Sequence, residues 1–412
     1  MRPFLIMRLF ILGLKTHDSF KHLITLIVMG FSLGIATASA ATLNHRSQTE
    51  VLQFLQTYQP GASIGKQSIS FNDLVQRLLS KRVILVGEIH DRYDHHLNQL
   101  ALLKALSAQD PNIGIGVEWF QQPFQPVLDA YLAGRIDETE MLKRSGYYNR
   151  WRYDYRMLRP ILIFAKDNHI PVLALNAPVE ITQKVAQGGL EALSDKERAQ
   201  LPKHINPPES SYLQRLRKVF MRHGTHGAGD GRFENFALVQ RIWDETMAAN
   251  AVDFLQANPR YRLMIFSGVG HISDRMGIPS DMARTIPTQQ MATVMTQSAG
   301  DIAMGQFDYF MLSPQPHNLP PTGKLGAWFE PDPRGLQVSR LAQTGAAAQA
   351  GMMTGDRLRK INNIPVRSMS DLLSTLAGFN IGDTLQLTLE RDRLAPKGEV
   401  ESHLLTLAIK LQ

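Results

Sequence analysis

Cysteine is absent from all 412 residues. That excludes disulfides, thiolate catalysis, cysteine-ligated metal clusters and a lipid-modified N-terminal cysteine. Concentrated positive charge is also missing. Lys and Arg number 44 against 37 Asp and Glu, a net charge of +7. Arg2, Arg8, Lys15 and Lys21 against Asp18 place +3 of this in the first 40 residues, and the +4 left over is too dilute for a nucleic-acid footprint. There is no internal repeat, no low-complexity tract and no phosphate-binding loop of the strand–GxxxxGK–helix kind. The only extended apolar run, Leu23 to Ile35, is short for a membrane-spanning helix.

What is present fits a globular protein: 44% hydrophobic and 20% charged residues, with 30 Gly and 22 Pro. At this length a single core is too small, so two domains are expected. A basic stretch, the apolar run and Ala38-Ser39-Ala40 read as an export signal over residues 1–40. This predicts a periplasmic protein; if the signal stays uncleaved, the same segment becomes an inner-membrane anchor.

From Ser80 onward, short apolar runs alternate with helical patterns. Val83 to Gly87, Ile113 to Val117, Val172 to Leu175 and Leu263 to Phe266 read as buried strands, and Asp308 to Leu312 as an additional one. Leu97, Leu100 and Leu103, then Phe236, Val239, Trp243 and Met247, fall on single helical faces. The prediction is an α/β domain over 41–312 with a largely parallel sheet flanked by helices. Residues 313–322 are proline-rich and read as a linker. Residues 323–412 suffice for one small β-rich domain.

Ligands in such sheets bind beyond the carboxyl ends of the strands. This chain puts Glu88 and His90, Glu118, Asn176, and His271 at four such ends. Imidazole and carboxylate suit a divalent transition metal, so His90, Glu118 and His271 form a candidate metal set with Glu88 as general base. His96 is placed to reach the crevice or to stay a buried, satisfied histidine, and His95 is expected in solvent. Tyr147 to Arg156 interleaves aromatics with cations. It reads as a helix packing rings on the sheet, or as a surface stacking on a conjugated ligand. His223 to Gly231 is a glycine-rich loop with two histidines.

These segments together resemble the ChaN-like haem-binding uptake proteins of the Tiki superfamily. The resemblance rests on Val83 to Asp91 with His95 to Gln99, on Leu173 to Pro178, on Asp244 to Ala248, and on Gly268 to His271. It implies haem bound at an exposed site, often in a homodimer. The candidate cofactor contacts are His90, His96, Tyr148, Arg152, Tyr153 and His271, and the family's haem-ligating tyrosine is one of Tyr147, Tyr148, Tyr153 and Tyr155. The wider superfamily includes metal-dependent hydrolases with paired Gly-x-x-His motifs, which Gly87 to His90 and Gly268 to His271 match.

The last segment resembles a PDZ domain of the bacterial periplasmic-protease type, through Gly335 to Val338, Gly345 to Met352, Gly355 to Leu358 and Ile361 to Val366. Lys324, Leu325 and Gly326 then correspond to the loop that captures a peptide's terminal carboxylate. The leading expectation is an exported haem-binding protein with a PDZ domain that recruits a partner C-terminus. The alternative is a metal-dependent hydrolase or peptidase.

Overall fold

The computed structural model describes residues 58–222, 230–298, 305–314, 318–394, 396 and 399–412, without the side chains of 222, 230, 231 and 394. The expected export signal, residues 223–229 of the glycine-rich stretch and residues 315–317 of the linker lie outside them.

The chain opens with a hairpin, β1 (Gly61–Ile64) and β2 (Gln67–Ile69), then helix α1 (Phe71–Leu78). Next come β3 (Val83–Glu88), α2 (Tyr93–Ser107), β4 (Ile113–Gln121), α3 (Gln125–Leu132), α4 (Glu138–Ser145), α5 (Tyr147–Arg150) and α6 (Arg159–Asp167). These lead to β5 (Val172–Asn176), α7 (Val179–Gly188), α8 (Asp195–Arg198), α9 (Ser210–Arg222) and α10 (Asp230–Ala257). The first sheet is completed by β6 (Arg262–Gly268), α11 (Ile278–Met282), β7 (Met291–Gln297) and β8 (Tyr309–Leu312).

The strand order is β2-β1-β8-β7-β3-β6-β4-β5. From β8 to β5 every neighbouring pair is parallel, and β1 joins β8 antiparallel. Strands β3 and β4 are buried at every residue, as expected of strands covered on both faces. The predicted mostly parallel α/β sheet is therefore present. The hairpin and β7 lie outside the predicted strand set. Strand β7 reads Met-Ala-Thr-Val-Met-Thr-Gln, yet it is the neighbour of β3, with Thr293 and Thr296 fully buried. Their hydroxyls are satisfied by the Asp308 carboxylate (3.1 Å) and the Gly87 carbonyl (2.6 Å).

The expectation that His95 is solvated does not hold. Helix α2 is buried on nearly every side because it lies between the sheet and helices α1 and α6. His95 is 0% exposed, and its Nδ1 accepts the Ile89 N–H at 3.1 Å.

The second sheet runs β9 (Ala327–Asp332), β10 (Gly335–Leu341), α12 (Ala346–Gln349), β11 (Arg357–Ile361), β12 (Ile364–Pro365), α13 (Met369–Leu376), β13 (Thr384–Leu394) and β14 (Val400–Lys410). It is antiparallel, ordered β14-β13-β11-β10-β9, with β12 on β11. Leu336, Val338, Leu358, Leu385, Leu387 and Ile409 fill its core. Among the described residues no helix is long and apolar enough to cross a membrane.

Candidate functional site

Adjacent strands β3, β6 and β4 end side by side, and Glu88 pairs in register with Gly268. That topology brings Glu88, His90, Glu118 and His271 together, as the strand-end rule predicts. They form two ion-paired arms.

In the first arm Glu88 is 1% exposed. Its Oε1 lies 3.0 Å from His90 Nδ1 and accepts the Trp119 indole N–H at 3.0 Å. Its Oε2 accepts from the Gln99 amide at 2.6 Å and faces His96 Nδ1 at 3.3 Å. Burial alone would raise the carboxyl's pKa, but the His96 charge and the hydrogen bonds from His90 and His96 hold it well below the usual range. A carboxylate so satisfied holds the His90 and His96 rings in place. His96 is as fully enclosed, with Nε2 donating to the His90 carbonyl at 3.2 Å. Burial lowers its pKa, yet the facing acceptors, Glu88 first, outweigh that and raise it.

In the second arm the His271 ring lies between two carboxylates, 2.6 Å from Asp244 and 3.3 Å from Glu118. Burial opposes its charge, but the two carboxylates raise its pKa to about 10. Glu118 also accepts the Gly268 N–H at 2.7 Å, and Tyr212 donates to Asp244. Asn176 braces the turn, donating to the Glu118 carbonyl at 3.1 Å. The role of Asp244 is not legible from spacing; its only signal is its place in the Asp244 to Ala248 segment.

His90 differs from the other two. Its side chain is 24% exposed, and its Nε2 makes no hydrogen bond among the described residues. Trp151 stands edge-on to it at 4.8 Å and Tyr153 tilts over it at 5.2 Å. Gly268 permits this seat, since a Cβ there would meet the His90 ring at 2.6 Å. Arg152 adopts φ 72°, uncommon without glycine, at the turn between the two flanking rings. It is exposed and makes no hydrogen bond or ion pair among the described residues.

The aromatic–cation stretch thus divides. Tyr147 and Tyr155 are core, and Arg150 grips Glu180 at 2.5 and 2.8 Å. Tyr147 to Arg150 is α-helical, and a 3-10 turn begins at Tyr155. Tyr148 stands apart from His90: it packs edge-on to Tyr147 at 5.1 Å, and burial raises its pKa. His96 and His271 have both ring nitrogens engaged by protein partners. Of the set His90, Glu118 and His271, His271 pairs with Glu118 and His90 pairs with Glu88 instead, and among the described residues no three His, Asp or Glu are arranged to hold a metal ion. Gly61 to Gly65 spells Gly-x-Ser-x-Gly, but Ser63 sits within β1 opposite Ser68 and Phe310, not at a strand-to-helix turn.

In the second sheet, Lys324, Leu325 and Gly326 precede β9, which is an unpaired edge. The Leu325 and Gly326 carbonyls accept from Ala347 and Ala342, whereas their N–H groups make no hydrogen bond among the described residues. Gly326 has φ +71°, and a Cβ there would lie 2.8 Å from the Gly345 Cα. Met369 and Leu373 on α13 are each 39% exposed.

The family described as haem-binding uptake, Tiki superfamily, ChaN matches residues 74–282, just over half of the chain, and a PDZ domain matches 323–410. Protein RETICULATA-RELATED 5, chloroplastic, of Arabidopsis thaliana is 23% identical over 239 residues, 53% of this chain and 32% of that protein. The chain therefore spans about a third of the curated relative it matches. A solved structure described as cofacial heme binding to ChaN of Campylobacter jejuni shares the fold at TM-score 0.51 and 17% identity, covering 62% of this chain and 97% of that one. The serine endoprotease from Yersinia pestis is 26% identical at TM-score 0.17, over 22% of this chain and 28% of that one. On the extent of the first match, the chain belongs to the ChaN haem-binding uptake family of the Tiki superfamily, and it carries a PDZ domain after that region.

Proposed function

We propose that this chain is an exported, periplasmic haem-binding protein of iron acquisition, with haem seated over the exposed His90, Trp151 and Tyr153 face. One observation carries the choice of seat: among the predicted histidine ligands, only His90 keeps a ring nitrogen free of hydrogen bonds among the described residues. The donor set suits the ligand. In this reading His90 Nε2 and the Tyr153 phenol are the donors to iron, the flanking rings offer planar surface, and Arg152 supplies a cation for a propionate. Glu88 acts from behind by fixing the orientation of the imidazole, the role carboxylates take beside ligating histidines. Haem is cargo in this reading, and no reaction step is assigned to it. The PDZ domain recruits a partner's C-terminus through the open β9 edge.

The test is a haem titration of residues 41–412 followed by visible absorption. A saturable Soret change at about one or two haems per chain is expected, as for specific axial ligation. His90→Ala or Tyr153→Phe weakens it, Gly268→Ala weakens it by displacing the imidazole, and Tyr148→Phe leaves it unchanged. Absence of a saturable change, or equal uptake by all four variants, overturns the proposal.

A further inference from the structure

The PDZ groove has a strongly asymmetric charge pattern along its length. At one end are the unengaged N–H groups of Leu325 and Gly326. Strand β9 then runs six residues to Asp332, about 20 Å at the usual rise per residue. At the far end a cleft is lined by Arg334, Arg359, Lys360 and Arg367 together with Asp332 and Glu390.

The carboxylates there are already engaged. Arg334 holds Glu390 at 3.0 Å and Asp392 at 3.3 Å. Arg357 holds Asp392 at 2.8 Å and Asp332 at 3.3 Å, and Arg359 lies 3.6 Å from Glu390. Lys360 and Arg367 make no ion pair among the described residues, and Asp371 accepts the Arg367 backbone N–H at 2.9 Å, so five cations meet four carboxylates, three of which are held in ion pairs. Arg367 also borders a second cleft, where Asp137, Glu140 and Asp371 accompany Lys143. Those acids belong to α4, its N-cap and α13.

A peptide added antiparallel to β9, its terminal carboxylate at Leu325 and Gly326, lays its upstream residues over this cationic end. Its last residues meet the exposed Met369 and Leu373. We infer that the PDZ domain selects protein C-termini with apolar final residues and acidic residues about four to seven positions upstream. This rests on the peptide-capture reading above and narrows it to a ligand class. The discrimination is electrostatic and comes from solvent-facing groups, so it is modest and salt-sensitive.

The experiment is fluorescence anisotropy on residues 41–412 with labelled decapeptides ending in Ala, Val, Leu or Phe. Each carries Asp and Glu, or Ser and Gln, at positions four to seven from the end. The acidic set is expected to bind about three- to tenfold tighter, the scale of one or two exposed ion pairs. Lys360→Gln with Arg367→Gln, or 0.5 M salt, closes the gap without changing the neutral set. Equal affinity for both sets overturns this inference and leaves peptide capture standing. If no peptide binds, or if C-terminal amidation changes nothing, peptide capture itself fails and the inference fails with it.

Discussion

At the scale of single residues, the site is governed by which imidazole nitrogens are already engaged. His271 is held between Asp244 and Glu118, and its pKa of about 10 makes its contribution to stability depend on pH. The folded value lies above the ordinary value of 6.5. Its contribution is therefore complete below about pH 6.5 and is lost as pH rises toward 10. His90 and His96 are shifted the same way, so the slope of the intact protein includes them. Thermal melts between pH 6.5 and 10 should show falling stability, and His271→Gln should reduce that fall while lowering stability at pH 6.5. A flat profile for the unaltered protein over this window would refute the assignment. Glu88 is invisible to this measurement, since its carboxyl titrates well below the window.

At the scale of elements, the long helix α10 is tied to α11 by a buried charged cluster. Arg241 contacts Asp281 at 2.8 Å and Glu245 at 2.7 Å, and Arg284 bonds both carboxylates. Asn206 also donates to Glu245, from its backbone at 3.1 Å and its side chain at 2.8 Å. The cluster flanks Asp244, so it fixes the carboxylate that grips His271. Arg241→Ala leaves the two buried carboxylates with Arg284 as their remaining guanidinium partner and should cost about 1.5–3 kcal/mol in urea unfolding, the scale of a hydrogen bond to a charged group. A loss below about 1 kcal/mol would show the cluster to be solvent-screened.

Sequence reading at this scale succeeds where burial leaves an apolar imprint. Strands β3 to β6 are found because burial on both faces writes continuous Val, Ile and Leu runs. Strand β7 escapes because its buried threonines are satisfied internally and look like surface residues. His95 escapes because α2 is covered on more than one side, so helical periodicity marks no solvent face. The strand-end residues were legible as a set. That His90 stays open while His271 and the helical His96 are engaged was not, because Asp244 reaches His271 from α10 and Glu88 reaches His96 from β3.

At the scale of the whole molecule, the second sheet is braced against the first. Helix α13 packs on α4 and α5, Lys143 donates to the Pro365 carbonyl at 3.1 Å, and Arg156 donates to that of Pro320 at 2.7 Å. Ser370 and Ser374 are buried one turn apart on α13, about a quarter turn round from Met369 and Leu373, and add little bulk to that approach. Ser374→Arg should therefore split the calorimetric unfolding of the chain into two transitions, whereas Leu373→Ser on the open face should not. One unsplit transition in Ser374→Arg would mean that the two sheets are joined by other contacts.

The wedge that holds His90 has a thermodynamic corollary. Tied to Glu88, backed by Gly268 and flanked by Trp151 and Tyr153, the imidazole has surrendered its rotamer freedom during folding. An arriving planar ligand need not freeze that ring again, so association meets a smaller entropic penalty than it would at a free surface histidine. Binding strength at this face is set in part before the ligand arrives.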